Sequence, residues 1–244
     1  MSNKARCSSM GSYMACPLLL WFDKELGKQK GSALDTIIPE RYRAFGNLCH
    51  YGIQTRLGCV LEEPSPEDYI EAEPMMLELE TCVAGAVKHI NDTYGVREWK
   101  AEQAWDNEFL QGHTDLVCGN ILVDIKTTGK MPARKQIATD HYWQLLAYHW
   151  MTGATDMRIL YVNNAGKWVT LSNSIDLSKP GVQRDVETMK RQLENPVYWA
   201  NYGSVCTKCS RVSECRSENV PFVADPTEIV PVHARGGALD DLGI

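Results

Sequence analysis

Asp124-Ile125-Lys126 stands nine residues after Asp115, which closes the run Gly112-His113-Thr114-Asp115. On a β-strand, residues i and i+2 point the same way, so Asp124 and Lys126 share a face. Gly119-Asn120, between the β-like runs 115–118 and 121–127, predicts a tight hairpin. That hairpin sets Asp115 on the partner strand, near its outer end. Two carboxylates and the backbone carbonyl of Ile125 offer hard oxygen ligands to a divalent cation. A cation held there orients water and stabilises charge on a phosphate in the transition state. Lys126 would sit beside the attacking water or a phosphate oxygen. Gln144 and Tyr148, at i and i+4 of a helix, lie on one face and can hydrogen-bond a phosphate or hold Lys126. An Asp-x-Lys alone is usually a solvated strand face; the order and spacing of the whole set carry the chemistry.

A second group is Cys206-x-x-Cys209-x5-Cys215, three soft ligands close together in a chain with 9 cysteines. A tetrahedral site needs a fourth ligand. The cysteine count is odd and the N-terminus lacks the order of a signal peptide. A cytoplasmic protein is therefore expected, whose clustered cysteines bind a metal or cluster rather than pair as disulfides. The best apolar run, 14–22, is far too short to span a membrane, and no membrane partner is expected. The net charge of −6 argues against a protein that coats DNA through excess Lys and Arg. It does not exclude a nuclease, which needs positive charge only locally and whose metal ions neutralise part of the phosphate.

The elements that must position these residues follow from periodicity and turn chemistry. The 244 residues fit one domain, 1–217, with a weakly structured Pro- and Gly-rich tail at 218–244. Residues 1–31 read as a short arm with an apolar centre at 13–22. Residues 39–58 read as a helix. Residues 66–94 read as one or two more, broken or started by Pro74, with Met75, Leu77, Leu79, Val83, Val87 and Ile90 in the core. Residues 99–105 read as a strand and 136–151 as a helix. Residues 157–162 and 167–171 form a second hairpin, and 181–194 is a helix. The pattern predicts a mixed α/β fold, a small central sheet flanked by helices. Trp99, Trp105, Tyr142, Trp143 and Trp150 read mostly as packing. Lys130, Arg134 and Lys135 suit either a DNA backbone or a solvated loop.

Taken together, these residues resemble the RecB-type branch of the PD-(D/E)XK nucleases. The resemblance rests on Gly112-x-x-Asp115, Val123-Asp124-Ile125-Lys126-Thr127-Thr128 and Gln144-x-x-x-Tyr148, with Thr114 where the superfamily name has Pro. The branch also has G-x-x-x-H on an upstream helix, matched by Gly46 and His50, and this implies His50 as a further metal ligand. A cluster-bearing subset ties an N-terminal Cys-Pro cysteine to three C-terminal ones, and Ser9-x-x-x-Tyr13-x-x-Cys16-Pro17 matches that setting. The resemblance, over residues 9 to about 216, implies a restriction-endonuclease-like core and a structural 4Fe-4S cluster on Cys16, Cys206, Cys209 and Cys215. Residues 1–31 and 195–217 would be the arms joined at that cluster. It also implies Mg2+ or Mn2+ and an exonuclease acting on DNA that is single-stranded or has free ends. The setting would be CRISPR-type DNA processing or phage recombination and replication, as a homo-oligomer or within a larger complex. Two other readings stand beside it. One is a DNA-binding or assembly module without chemistry, for which the intact Asp115, Asp124 and Lys126 set has no use. The other is a redox or zinc protein, which leaves that set unexplained.

Overall fold

A computed structural model describes residues 4–25, 39–130, 136–198 and Cys215. At its centre is a six-stranded mixed sheet. Strands β2 (Lys100–Asp106), β3 (Leu110–Cys118) and β4 (Ile121–Thr128) follow one another in antiparallel pairs. β5 (Asp156–Asn163) runs parallel to β4, and β6 (Val169–Leu171) closes that edge antiparallel. Gly119, at φ 58°, takes the first central position of the β3–β4 turn, where a side chain would be strained. The crossover from β4 to β5 is α6 (Thr139–Thr152), as a parallel connection requires. Gly153 ends α6 in the left-handed conformation, its N–H bonded to the His149 carbonyl.

The sheet separates two cores. On one face α6 and α7 (Pro180–Glu194) cover Leu122, Met157, Ile159 and Tyr161. On the other, α3 (Glu40–Arg56) and α5 (Met76–Tyr94) cover Val123, Ile125, Leu160 and Val162. The alternation along β4 and β5 is the period of two written in the sequence. α6 buries Leu145 and Leu146 fully, each contributing about 1.5–3 kcal/mol. The short α4 (Pro66–Ala72) is capped by Ser65, whose hydroxyl accepts the Asp68 N–H. Pro74 falls in the single 3-10 turn between α4 and α5.

The structure departs from expectation in three places. The N-terminal segment is not an appended arm. Its residues Ala5–Arg6 form β1, parallel to β3, and α1 (Met10–Ala15) packs on α6. Cys7, Met10, Tyr13 and Leu20 are core residues, and α2 (Pro17–Glu25) follows directly. Leu77 is 79% exposed, because Leu79, Cys82, Val83 and Ala86 form the inner face of α5. Met75 and Val87 only flank that core. Helix α6 starts at Thr139 rather than 136. Arg134, Lys135, Cys206, Cys209 and the tail 218–244 lie outside the described residues. Among those described, no helix is long and apolar enough to cross a membrane.

Candidate active site

β3 and β4 do not pair along their whole length. Their register runs Cys118–Ile121, Val117–Leu122 and Leu116–Val123, and stops there. Further along, the same edge of β3 pairs with β1 at Leu110 and Gln111. Between these ladders the strands splay, and side chains take over the backbone groups that the sheet leaves unpaired. Asp115 Oδ2 accepts the Ile125 N–H at 2.5 Å. The His113 carbonyl accepts the Tyr148 hydroxyl at 2.5 Å. On the other edge of β3, where the β2 ladder skips Asp115, the Asp115 carbonyl accepts the Gln54 amide at 2.9 Å. In an extended strand a residue's N–H and C=O point to the same edge, so the Ile125 carbonyl also faces the gap.

The sequence-predicted residues converge on this splay from both faces of the sheet. Asp124 is 1% exposed; its Oδ1 accepts the Gln144 amide at 2.9 Å, and its Oδ2 lies 2.6 Å from Lys126 Nζ. No well-directed hydrogen bond reaches Oδ2, so charge holds that pair. Gln144 also reaches toward the Tyr148 hydroxyl at 3.4 Å, which joins the i, i+4 pair of α6 into one network. From the opposite face, α3 brings His50 Nδ1 within 3.6 Å of Asp115 Oδ1. Gly46, one turn earlier, allows this approach: a Cβ there would stand 3.2 Å from Thr127 Oγ1. Gly112 has a similar role beneath Tyr148, where a Cβ would meet the Tyr148 ring at 3.1 Å and Cys7 at 3.2 Å. A cleft of about 1230 Å³ lies on the His50 side of the site, with His50, Gln54, Glu102 and Thr127 in its lining, while Asp115, Asp124 and Lys126 are outside that lining.

The charges are strongly coupled. Burial pushes the Asp124 carboxyl up to about 6; Lys126 opposes that rise and Asp115 adds to it. Burial would raise Asp115 as well, but His50, Lys126 and the Ile125 N–H together hold it below the usual carboxylate range. Burial would lower Lys126 and His50, yet the two aspartates raise both. The site thus splits two chemically identical acids, one held ionised and one ready to take a proton near neutral pH.

Three participants were not singled out from the sequence. Gln54, 1% exposed, stands one turn beyond His50 on α3. The exposed Glu102 on β2 brings a third carboxylate, one of whose oxygens lies within 4.8 Å of a His50 ring nitrogen and an Asp115 carboxylate oxygen. The i+4 spacing from His50 is a signal for Gln54; nothing in the alternation of β2 marks Glu102. His141, one turn before Gln144, contacts the Tyr161 hydroxyl at 2.9 Å; burial and then Lys126 push its imidazole down to about 4, so it stays neutral. That hydroxyl also accepts the Ala138 N–H at 3.0 Å. The donors at the splay, carboxylate oxygens, one carbonyl and one imidazole, suit Mg2+ or Mn2+. The buried Asp124 Oδ2 that lacks a directed hydrogen bond is the kind of atom such an ion satisfies.

Of the four cysteines assigned to a cluster, Cys16 is buried with Leu18 and Phe22, and Cys215 packs against that group. Cys206 and Cys209 lie outside the described residues. No match is found among curated proteins. Among solved structures, the chain is similar to a phage-related exonuclease from Haemophilus somnus 129PT, at 14% identity and a TM-score of 0.39, over 88% of this chain and 96% of that one. It is also similar to an alkaline exonuclease (LHK-Exo) from Laribacter hongkongensis, at 12% identity and a TM-score of 0.35, over 79% of this chain and 89% of that one. The family match is broader than any single motif. It runs over residues 7–216, taking in the splayed strands and the two helices that reach them from opposite faces, and the chain belongs to the PD-(D/E)XK nuclease superfamily.

Proposed function

We propose that this protein is a metal-dependent deoxyribonuclease, an exonuclease that cuts single-stranded DNA from its ends. One observation carries the proposal: Asp115, Asp124 and Lys126 meet at a break in the sheet, with Gln144 fixing one carboxylate and His50 beside the other. Asp115, Asp124, His50 and the Ile125 carbonyl would hold Mg2+ or Mn2+, which supplies a more acidic bound water and neutralises phosphate charge. Lys126 presents its ammonium to the phosphate or the attacking water. Gln144 keeps Asp124 from rotating, and Tyr148 pins β3 through the His113 carbonyl. The test is loss of end-labelled single-stranded DNA with Mg2+ or Mn2+ but not with a chelator. Closed circular single strands should survive. Degradation of circles would remove the end requirement; tight DNA binding without cutting would favour an assembly module instead.

A cation and a proton compete for Asp124. With its carboxyl near 6, and with the His50 imidazole also held above its ordinary value and competing in the same way, Mn2+ affinity is expected to fall steadily as pH drops from 8 toward 5. Calorimetry between pH 5 and 8 checks this, and a flat profile would remove Asp124 from the ligand set.

The finer part of the proposal is a structural 4Fe-4S cluster on Cys16, Cys206, Cys209 and Cys215. Its support is the motif spacing and the packing of Cys215 against the Cys16 group, 199 positions apart in the chain. Such a staple would close a very long loop. Protein purified without oxygen should be brown and carry about four irons per chain. A colourless zinc protein would overturn this part and leave the cutting site untouched. The setting proposed for the activity is CRISPR-type DNA processing or phage recombination.

A further inference from the structure

The oxygens at the splay are not equally available to a cation. Asp115 Oδ2 is taken by the Ile125 N–H, and Asp124 Oδ1 by the Gln144 amide. Asp124 Oδ2 lies against Lys126. The remaining carboxylate oxygen, Asp115 Oδ1, faces His50. Glu102 stands on that side, and one carboxylate oxygen each of Glu102 and Asp115 and a His50 ring nitrogen all lie within 4.8 Å of one another. Ligands about 2.0–2.6 Å from a shared ion fall within that spread.

Glu102 is brought there by a break in β2. The β2–β3 ladder pairs Ala101 with Leu116 and Gln103 with Thr114, but skips Glu102 and Asp115. Glu102 has φ 49°, the only non-glycine residue with positive φ among those described. A residue other than Gly, Asn or Asp is costly in that conformation, and Glu102 keeps an exposed place on the strand. Gln54 fills the break: its amide donates to Glu102 Oε1 at 2.8 Å and to the Asp115 carbonyl at 2.9 Å.

We propose that Glu102 is a ligand of the divalent cation on the His50 side of Asp115, and that Gln54 is the positioning residue that aims it. This rests on the metal-dependent activity proposed above. It makes the cation site a three-strand one, in which Glu102 of β2 joins Asp115 of β3 and the β4 groups proposed above, Asp124 and the Ile125 carbonyl.

The test is Mn2+ binding to the full chain by calorimetry and by electron paramagnetic resonance, without DNA. Glu102→Gln keeps an acceptor for Gln54 and removes the charge; Glu102→Asn also suits the left-handed backbone. Both are expected to weaken Mn2+ binding by about 10-fold or more. The metal-free Tm should stay level or rise, since one of three clustered carboxylates is gone. Mn2+ binding within twofold of wild type in both variants would overturn the assignment. So would loss of binding only in step with a lower metal-free Tm, the mark of a structural role. Failure of the wild type itself to bind Mn2+ would instead sink the metal-dependent activity, and this assignment with it.

Discussion

Asp124→Asn is expected to lower metal-dependent cutting of single-stranded DNA by about 10³-fold or more, with the fold intact. The amide is isosteric, and its oxygen still accepts the Gln144 amide that Asp124 Oδ1 accepts now. The lost quantity is the charge that faces Lys126 and the cation. The metal-free fold should tolerate this, because burial already pushes the Asp124 carboxyl up to about 6, so its neutral form is accessible near neutral pH. Asn matches that neutral form in charge, although its NH2 cannot accept from Lys126 as a carboxyl oxygen can. Lys126 keeps a second carboxylate in its field, Asp115. Rate measurement together with circular dichroism separates the two effects. Wild-type activity in Asp124→Asn would remove Asp124 from the chemistry.

Lys126→Met is expected to lower cutting by about 10²–10³-fold and, in the metal-free protein, to show a stability loss that depends on pH. Lys126 Nζ is the counter-charge 2.6 Å from a carboxylate that is 1% exposed. Breaking such a pair leaves a buried charge, at a cost of about 2–4 kcal/mol at pH 8. The sign follows from the raised carboxyl. Lys126 opposes the rise of Asp124, so without Lys126 the folded-state carboxyl titrates still higher than about 6. Below that range Asp124 is protonated and needs no partner, so at pH 5 the deficit should be small. The stability that a raised carboxyl provides is present in acid and is lost as pH rises through its folded value, so the gap from wild type widens toward pH 8. Urea unfolding at the two pH values measures it. An equal deficit at both would mean that Lys126 stabilises by packing its stem rather than by pairing.

These effects trace back to features of unequal legibility in the sequence. The sequence by itself determined the parts of the site that lie within single elements. Asp124 and Lys126 share a strand face by the period of two, and Gln144 and Tyr148 share a helix face by the i, i+4 rule. Gly119 with Asn120 marks the turn that sets β3 beside β4. His50 was legible only with Gly46, through the resemblance, and the space left by that glycine over Thr127 is the physical content of the motif.

The tertiary structure decided where the β3–β4 ladder stops. Periodicity describes each strand alone and treats the hairpin as fully paired. The splay beyond Leu116 and Val123 arises because β1 takes the far half of that edge of β3. β1 comes from the segment that composition marked as an arm, whose two strand residues carry too short a pattern to signal a strand. Glu102 and Gln54 were invisible for the same reason. Their roles depend on backbone groups left unpaired by a break in a ladder, and such a break follows from long-range pairing rather than from the order of neighbouring residues.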